Sequence, residues 1–156
     1  MVVVHYTASN SLQGSHRYMN QEKMHSARKM LKKAGLNNVC TQFLVGRDGK
    51  IYRLMPENQI GRHTIGLNMH AIGIENVGNH NLTDKQLEAN TRLIRYLSAK
   101  WPIQYLIGHS EYRRFENSPL WQELQPGYRT HKTDPGKEFM KRLRKNLSDL
   151  SLKDGP

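Results

Sequence analysis

Residues 2–6 of the chain read V-V-V-H-Y. Three consecutive β-branched apolar residues followed at once by polar ones are typical of a short strand buried in a sheet. A second apolar stretch, A-I-G-I-E-N-V at residues 71–77, predicts a central strand, and residues 104–107 predict another short one. Because helical patterns separate these strands, the sequence predicts a single α/β domain with a central mixed β-sheet flanked by helices.

Three helices are predicted between and after these strands. Apolar residues recur at helical spacing between about residues 17 and 35, after a polar, loop-like stretch at residues 9–15. Residues 83–100 begin with the Thr-x-x-Gln spacing of a capping box, which predicts the start of a second helix. A last helix is predicted from about residue 135 to residue 146.

A β-hairpin and a long loop complete the predicted domain. Residues 39–45 and 51–55 have strand character, and an Asp-Gly pair between them is a strong signal for a tight turn. Residues 56–70 form a long loop, and such loops after strands commonly carry function. We assign residues 1–147 to the domain and expect residues 148–156 to be a polar tail that frays.

The length, charge and cysteine content of the chain exclude several classes of protein. The chain has 156 residues, enough for one domain with one core, and no apolar run long enough to span a membrane. No signal peptide is visible, which leaves a periplasmic, extracellular or cytoplasmic location open. The single cysteine, Cys40, excludes an internal disulfide and a cysteine-rich zinc finger. The formal net charge of +11 indicates an anionic partner: nucleic acid, an anionic membrane or an acidic wall polymer.

Two of the eight histidines lie at the ends of predicted strands. His5 ends the first strand and His109 follows the strand at residues 104–107, so both side chains can meet at one edge of the sheet. Asp134 can join them, and two imidazoles with one carboxylate are a typical ligand set for catalytic zinc. Each residue also has a structural alternative: a strand-end histidine is commonly hydrogen-bonded, and Asp134 before Pro135 has the pattern of a helix N-cap.

Six short segments are spread along residues 1–140 and occur in a consistent order. They are V-V-V-H-Y-T-A-S (2–9), F-L-V-G-R-D-G-K-I-Y-R-L (43–54), G-R-H-T-I-G-L-N (61–68), I-G-I-E-N-V-G-N (72–79), I-G-H-S-E-Y (107–112) and K-T-D-P-G (132–136). Together they resemble the zinc-dependent N-acetylmuramoyl-L-alanine amidases of the type 2 family, which includes AmpD-type enzymes, phage amidases and peptidoglycan recognition proteins.

The resemblance implies one Zn²⁺ ion held by His5, His109 and Asp134. An aspartate rather than a cysteine at the third position is typical of the AmpD branch. The implied reaction is hydrolysis of the amide between N-acetylmuramic acid and the L-alanine of the peptidoglycan stem. The implied partner is therefore peptidoglycan or muropeptides rather than nucleic acid, and we expect a monomer without a transmembrane segment.

The resemblance also implies roles for four further residues. Glu75 is expected to act on the attacking water, and Lys132 to stabilise the oxyanion that forms when an amide carbonyl is attacked. His63 is expected to contact substrate or to lie at the rim of the groove, and Asn76 to orient substrate or loop backbone. The structural alternatives are a salt bridge for Glu75 and a solvated surface position for Lys132.

One departure from the family pattern concerns the residues before Phe43. Relatives often carry tyrosine or histidine there, whereas this chain has Thr41 and Gln42. If a relative uses such a side chain in catalysis, this protein depends on Glu75 and Lys132 instead.

The charge and the biological role leave several interpretations open. Basic residues are expected to concentrate the protein on an anionic envelope: Lys32, Lys33, Arg142, Arg144 and Lys145. Two other classes of protein are alternatives, a non-catalytic peptidoglycan-binding module and a nucleic-acid-binding domain. The amidase chemistry itself can serve wall recycling, a phage lysin or an antibacterial toxin.

Overall fold

A five-stranded mixed sheet lies at the centre of the computed structural model, which describes residues 1–21 and 40–156. The strands are β1 (Val2–Tyr6), β2 (Phe43–Val45), β3 (Ile51–Arg53), β4 (Ile72–Asn76) and β5 (Leu106–Gly108). Their order across the sheet is β3-β2-β4-β1-β5, with β3 antiparallel to β2 and every other neighbouring pair parallel. The predicted α/β class with a mixed sheet is confirmed.

The register of β1 decides which side chains share a face. His5 pairs with Glu75 of β4, two residues after the pairing of Val3 with Gly73. Because side chains alternate between the faces of a strand, Val3, His5 and Glu75 point to one face and Val4 points to the other. Apolar residues therefore pack on both faces of the sheet. Polar groups lie on one of these faces, near the carboxyl ends of the strands.

Helices α2 (Asp84–Lys100) and α3 (Lys137–Asn146) cover the face to which Val4 points. Thr83 and Gln86 form the predicted capping box at the start of α2. The two helices contribute the following buried residues to this core: Leu87, Ala89, Leu93, Ile94, Leu97, Phe139, Met140 and Leu143. On the opposite face Val3 packs with a second apolar cluster of Leu67, Ala71, Ile107, Tyr112 and Phe115.

The first helix begins earlier than predicted. Helix α1 spans Leu12–Met19, and the Ser11 hydroxyl accepts a hydrogen bond from the Gly14 N–H, a side-chain cap that starts the helix. The prediction of a loop through residue 15 is therefore wrong from Leu12 onward. Most of the helix predicted at residues 17–35 lies outside the described residues. Residue 39 of the strand predicted at 39–45 also lies outside them, and β2 begins only at Phe43, so the predicted strand start is wrong.

The N-cap predicted at Asp134 is also wrong. Helix α3 begins at Lys137, and its N-cap is Gly136, which has no side chain to accept a hydrogen bond. The Asp134 carboxylate points instead to two histidine rings. Because the carboxylate does not cap α3, it is available for another role.

The C-terminal residues are packed rather than frayed. The Lys153 N–H donates to the Gln104 carbonyl, and the Lys153 carbonyl accepts from the Leu106 N–H, so residue 153 pairs beside the start of β5. Leu150 and Leu152 pack against the helical core. No helix among residues 1–21 and 40–156 has the length and apolarity needed to cross a membrane.

Candidate metal centre

Three side chains from distant parts of the chain meet at one edge of the sheet. His5 lies near the end of β1, His109 directly follows β5, and Asp134 lies in the loop before α3. The Oδ2 atom of Asp134 is 3.3 Å from Nδ1 of His5 and 3.0 Å from Nδ1 of His109. All three residues are buried, and the two ring centroids are 4.3 Å apart. The structure therefore brings the predicted ligand set together.

Backbone structure explains why these groups converge. The parallel strands β1 and β5 are direct neighbours, so their carboxyl ends lie at the same edge of the sheet. The Asp134 carbonyl accepts a hydrogen bond of 2.9 Å from the Ser110 N–H, which ties the loop of Asp134 to the residue after His109. Two strand ends and one tethered loop thus define the site.

The separations between the donor atoms fit a small divalent metal. One ligand atom from each residue lies within 4.8 Å of the other two. A tetrahedral zinc site with bonds of about 2.0–2.1 Å places its ligand atoms roughly 3.3 Å apart. Both distances from the Asp134 carboxylate are close to that separation, so these residues fit zinc without a change in the sheet.

The electrostatics keep the donor atoms in the protonation states that metal binding requires. Burial lowers the pKa of His5 to about 4, and the nearby His109 acts in the same direction. Burial also lowers the pKa of His109, against the opposing effect of Asp134. Burial alone would raise the pKa of Asp134, but hydrogen bonds from both histidines hold it below its ordinary value. At neutral pH the site therefore presents two neutral imidazoles and one carboxylate.

Glu75 and Lys132 both lie close to this cluster. Glu75 is the register partner of His5 on β4, so its partly buried side chain leaves the sheet on the same face. Half-buried Lys132 lies two residues before Asp134 in the chain, and its positive charge contributes, after burial as the main cause, to the lowered pKa of both histidines. Within the described residues Lys132 forms no ion pair.

His63 lies beside the cluster, and Asn76 lies behind it. Nδ1 of His63 is 3.0 Å from Nε2 of His5, and Nε2 of His63 is shielded from solvent. Asn76 is fully buried and donates to the backbone carbonyl of His5 and, more weakly, to Asn90 of α2. Asn76 therefore fixes the backbone of strand β1 at His5, and its expected role toward substrate or loop backbone stays a prediction.

Thr41 and Gln42, where the chain departs from the family pattern, are buried packing residues. The Gln42 amide accepts from the Gly73 N–H and donates to the Gln59 carbonyl, both at 2.7 Å. Gln42 thus links the long loop to β4. The sequence analysis missed Thr64, whose hydroxyl lies 2.9 Å from Nδ1 of His63. The only signal for it was its position next to His63.

Comparisons with known proteins agree with this architecture. The family model described as N-acetylmuramoyl-L-alanine amidase matches residues 1–137. The solved structure of the N-acetylmuramoyl-L-alanine amidase LysC from Clostridium intestinale is 26% identical, with a TM-score of 0.65, and the match covers 98% of this chain and 85% of that chain.

Two curated relatives are insect proteins. Peptidoglycan-recognition protein SC2 of Drosophila simulans is 29% identical over 131 residues, which are 79% of this chain and 71% of that protein. A peptidoglycan recognition protein of Trichoplusia ni is 31% identical over 83 residues, or 47% of this chain, and that match spans only 44% of the insect protein.

The chain belongs to the N-acetylmuramoyl-L-alanine amidase family, the type 2 amidases that share their fold with peptidoglycan recognition proteins. The fold and the comparisons support a protein of the peptidoglycan amidase or recognition type. Three buried residues, His5, His109 and Asp134, form its candidate metal site.

Addition of zinc to the metal-free protein is expected to raise its melting temperature, because a ligand that binds only the folded state stabilises it. At a free zinc concentration of 100 times Kd the stabilisation is about 2.7 kcal/mol. The Asp134→Ala variant should lose most of this response in differential scanning calorimetry. As a matched control, Asp149→Ala removes an exposed aspartate that pairs with Arg95 and should keep the response. A wild-type melting temperature that zinc leaves unchanged would contradict the metal site.

Proposed function

We propose that this protein is a zinc-dependent N-acetylmuramoyl-L-alanine amidase that hydrolyses the amide between N-acetylmuramic acid and the L-alanine of the stem peptide. The observation that carries the proposal is the convergence of His5, His109 and Asp134 into one buried cluster at the edge of the sheet. Family membership over residues 1–137 supports the same bond as the target.

These three residues would hold the zinc ion through two imidazole nitrogens and a carboxylate oxygen. When bound, zinc supplies Lewis-acid chemistry, which polarises a carbonyl and makes water a nucleophile near neutral pH. A set of three protein ligands would suit a catalytic rather than a structural zinc site.

Glu75 and Lys132 supply the proton transfer and the charge stabilisation that amide hydrolysis needs. As a carboxylate beside His5, Glu75 can accept a proton from the attacking water and pass it to the leaving amine. Lys132 carries a positive charge near the ligands, where negative charge develops on the carbonyl oxygen in the transition state.

A pocket of about 590 Å³ borders Lys132 and provides a place for part of the substrate. Its charged lining consists of Arg113, Arg114, Lys132, Lys137 and Glu111. The Glu111 carboxylate pairs with Arg144 and Arg114, Arg114 also pairs with Asp154, and Arg113 pairs with Glu116. The excess positive charge of the lining therefore comes from Lys132 and Lys137, which form no ion pair within residues 1–21 and 40–156. Peptide stems carry carboxylates, and such a lining favours them over neutral groups.

A non-catalytic peptidoglycan-binding module of the same fold is the second candidate. The observation that favours it is the presence of buried Thr41 and Gln42 where relatives often carry tyrosine or histidine. The complete ligand set and the nearby Glu75 and Lys132 favour the enzyme.

The deciding experiment incubates the purified protein with peptidoglycan and counts new L-alanine amino termini and new reducing ends. We expect new amino termini that disappear with a chelator and return with zinc, and no new reducing ends. Sedimentation with peptidoglycan without new amino termini would support the binding module instead.

Substitution of either proposed catalytic residue is expected to lower kcat with little change in zinc content. Glu75→Gln removes the proton acceptor and should cost about 10²–10⁴-fold, the usual contribution of a general base. Lys132→Met removes the charge and should cost about 10²–10³-fold, as the loss of one oxyanion donor does. Both rates are measured as release of L-alanine amino termini.

The matched controls for these two variants are Glu88→Gln and Lys85→Met, which alter exposed residues of α2. Both controls should retain the wild-type rate. Full activity of either Glu75→Gln or Lys132→Met would remove that residue from the mechanism.

The structure changes the set of basic residues expected to attract an anionic envelope. Arg142 pairs with Asp84, and Arg144 pairs with Glu111 and donates to the Leu106 carbonyl, so Arg144 has a structural role. Lys32 and Lys33 lie outside the described residues. Along α3, exposed lysines recur at a spacing of four residues: Lys137, Lys141 and Lys145.

These three lysines form no ion pair within residues 1–21 and 40–156, so their charge is available to a partner. We expect Lys141→Glu combined with Lys145→Glu to weaken sedimentation with peptidoglycan that carries anionic polymers. The effect should be large at low ionic strength and small near 1 M salt, where the Debye length is about 3 Å.

The control makes the same charge change at two exposed lysines outside α3, Lys85→Glu combined with Lys153→Glu. Equal binding by the two double variants at low salt would show that net charge matters and the α3 lysines do not.

A further inference from the structure

The two ring nitrogens of His5 have different partners. Nδ1 faces the Asp134 carboxylate, at 3.3 Å. Nε2 faces the opposite way, 3.0 Å from Nδ1 of His63 and 3.5 Å from the hydroxyl of Thr64. The His63 and His5 rings meet edge to face, with an interplanar angle of 89°. His5 is therefore held between the candidate metal position and a second pair of polar side chains.

The loop that carries His63 and Thr64 is built to hold them there. The backbone N–H groups of both residues donate to the Asn68 side-chain oxygen, at 3.0 and 2.8 Å. The His63 ring packs against Gly73 of β4, where an added Cβ would lie only 2.9 Å from two ring carbons. Thr64 is buried, and its hydroxyl lies 2.9 Å from Nδ1 of His63. These contacts leave the His63 ring little freedom to turn away from His5.

We propose that His63 and Thr64 are positioning residues that set the tautomer of His5 for metal binding. A metal ion at Nδ1 needs the lone pair of that atom, so the proton of the neutral ring must be on Nε2. Because His5 is buried, water cannot accept a hydrogen bond from Nε2–H, and a protein acceptor has to do so. Nδ1 of His63 and the Thr64 hydroxyl are the two acceptors at that nitrogen.

A competing tautomer makes this role necessary. Without a metal, the Asp134 carboxylate favours a proton on Nδ1 of His5, the atom that the metal would use. The acceptors on the other side favour a proton on Nε2 and so lower the cost of freeing Nδ1. The inference rests on the proposed metal site. In this role His63 contacts His5 inside the protein, in place of the expected contact with substrate.

The test measures zinc affinity by competition with a chromophoric chelator on metal-free protein. His63→Phe keeps a flat ring beside Gly73 but removes the acceptor, and about 10- to 100-fold weaker zinc binding is expected. Thr64→Val removes only the hydroxyl and should produce a smaller loss. His63→Asn should restore much of the affinity, because its side-chain oxygen can accept the same hydrogen bond.

Two further measurements separate a change in ligand orientation from loss of structure. The absorption spectrum of the Co²⁺-substituted protein should change in His63→Phe and return in His63→Asn. The melting temperature of each metal-free variant reports whether the fold is intact. His70→Leu is the matched control, because His70 is a half-buried histidine on the same loop whose Nε2 contacts Gln122 instead.

Zinc affinities for His63→Phe and Thr64→Val equal to that of wild type would overturn the proposal. If His63→Phe does not fold, Thr64→Val decides alone, and wild-type affinity in that variant would have the same meaning. A loss in His70→Leu as large as that in His63→Phe would also overturn it. A wild-type protein that binds no zinc would overturn both this inference and the proposed function, whereas zinc binding insensitive to these variants would overturn only the inference.

Discussion

The parallel pairing of β1 with β4 on one side and β5 on the other fixes where the site residues lie. It places the ends of three strands at one edge, so His5, His109 and Glu75 leave the sheet close together although they are far apart along the chain. A shift of β1 by one residue would turn His5 into the apolar core that Val4 now occupies, and Val4 toward the site. The buried valines of β1 therefore set the register that the chemistry needs.

The site contains several buried polar groups, and each of them needs a hydrogen-bond or ion-pair partner. Asp134 is tolerated near the core because both histidines face its carboxylate, and His5 is tolerated because both of its ring nitrogens face polar atoms. Burying these polar groups costs desolvation free energy, so stability alone is a poor explanation for the network. Three donor atoms within 4.8 Å of one another are more readily explained by a ligand that all three share.

The basic residues fall into two groups, those that form ion pairs within the protein and those that do not. Most arginines among the described residues pair with carboxylates, as Arg144 does with Glu111 and Arg95 with Asp149. The lysines of α3 and Lys132 remain without such partners in the described part of the chain. The net charge of +11 therefore indicates the kind of partner, but only the ion pairs show which residues are available to meet it.

The sequence was sufficient to predict the α/β class, the strands and the capping box at Thr83, because apolar runs and local capping chemistry depend on neighbours in the chain. It also indicated His5, His109 and Asp134, since family segments carry them. It failed where a residue's partner is remote. The sequence pattern around Asp134 predicted a helix cap, but its carboxylate faces two histidines. No sequence pattern indicated a partner for His63, which packs over Gly73 and against His5 in the fold. These roles follow from the fold, because hydrogen-bond partners separated by tens of residues are set by strand register and loop packing.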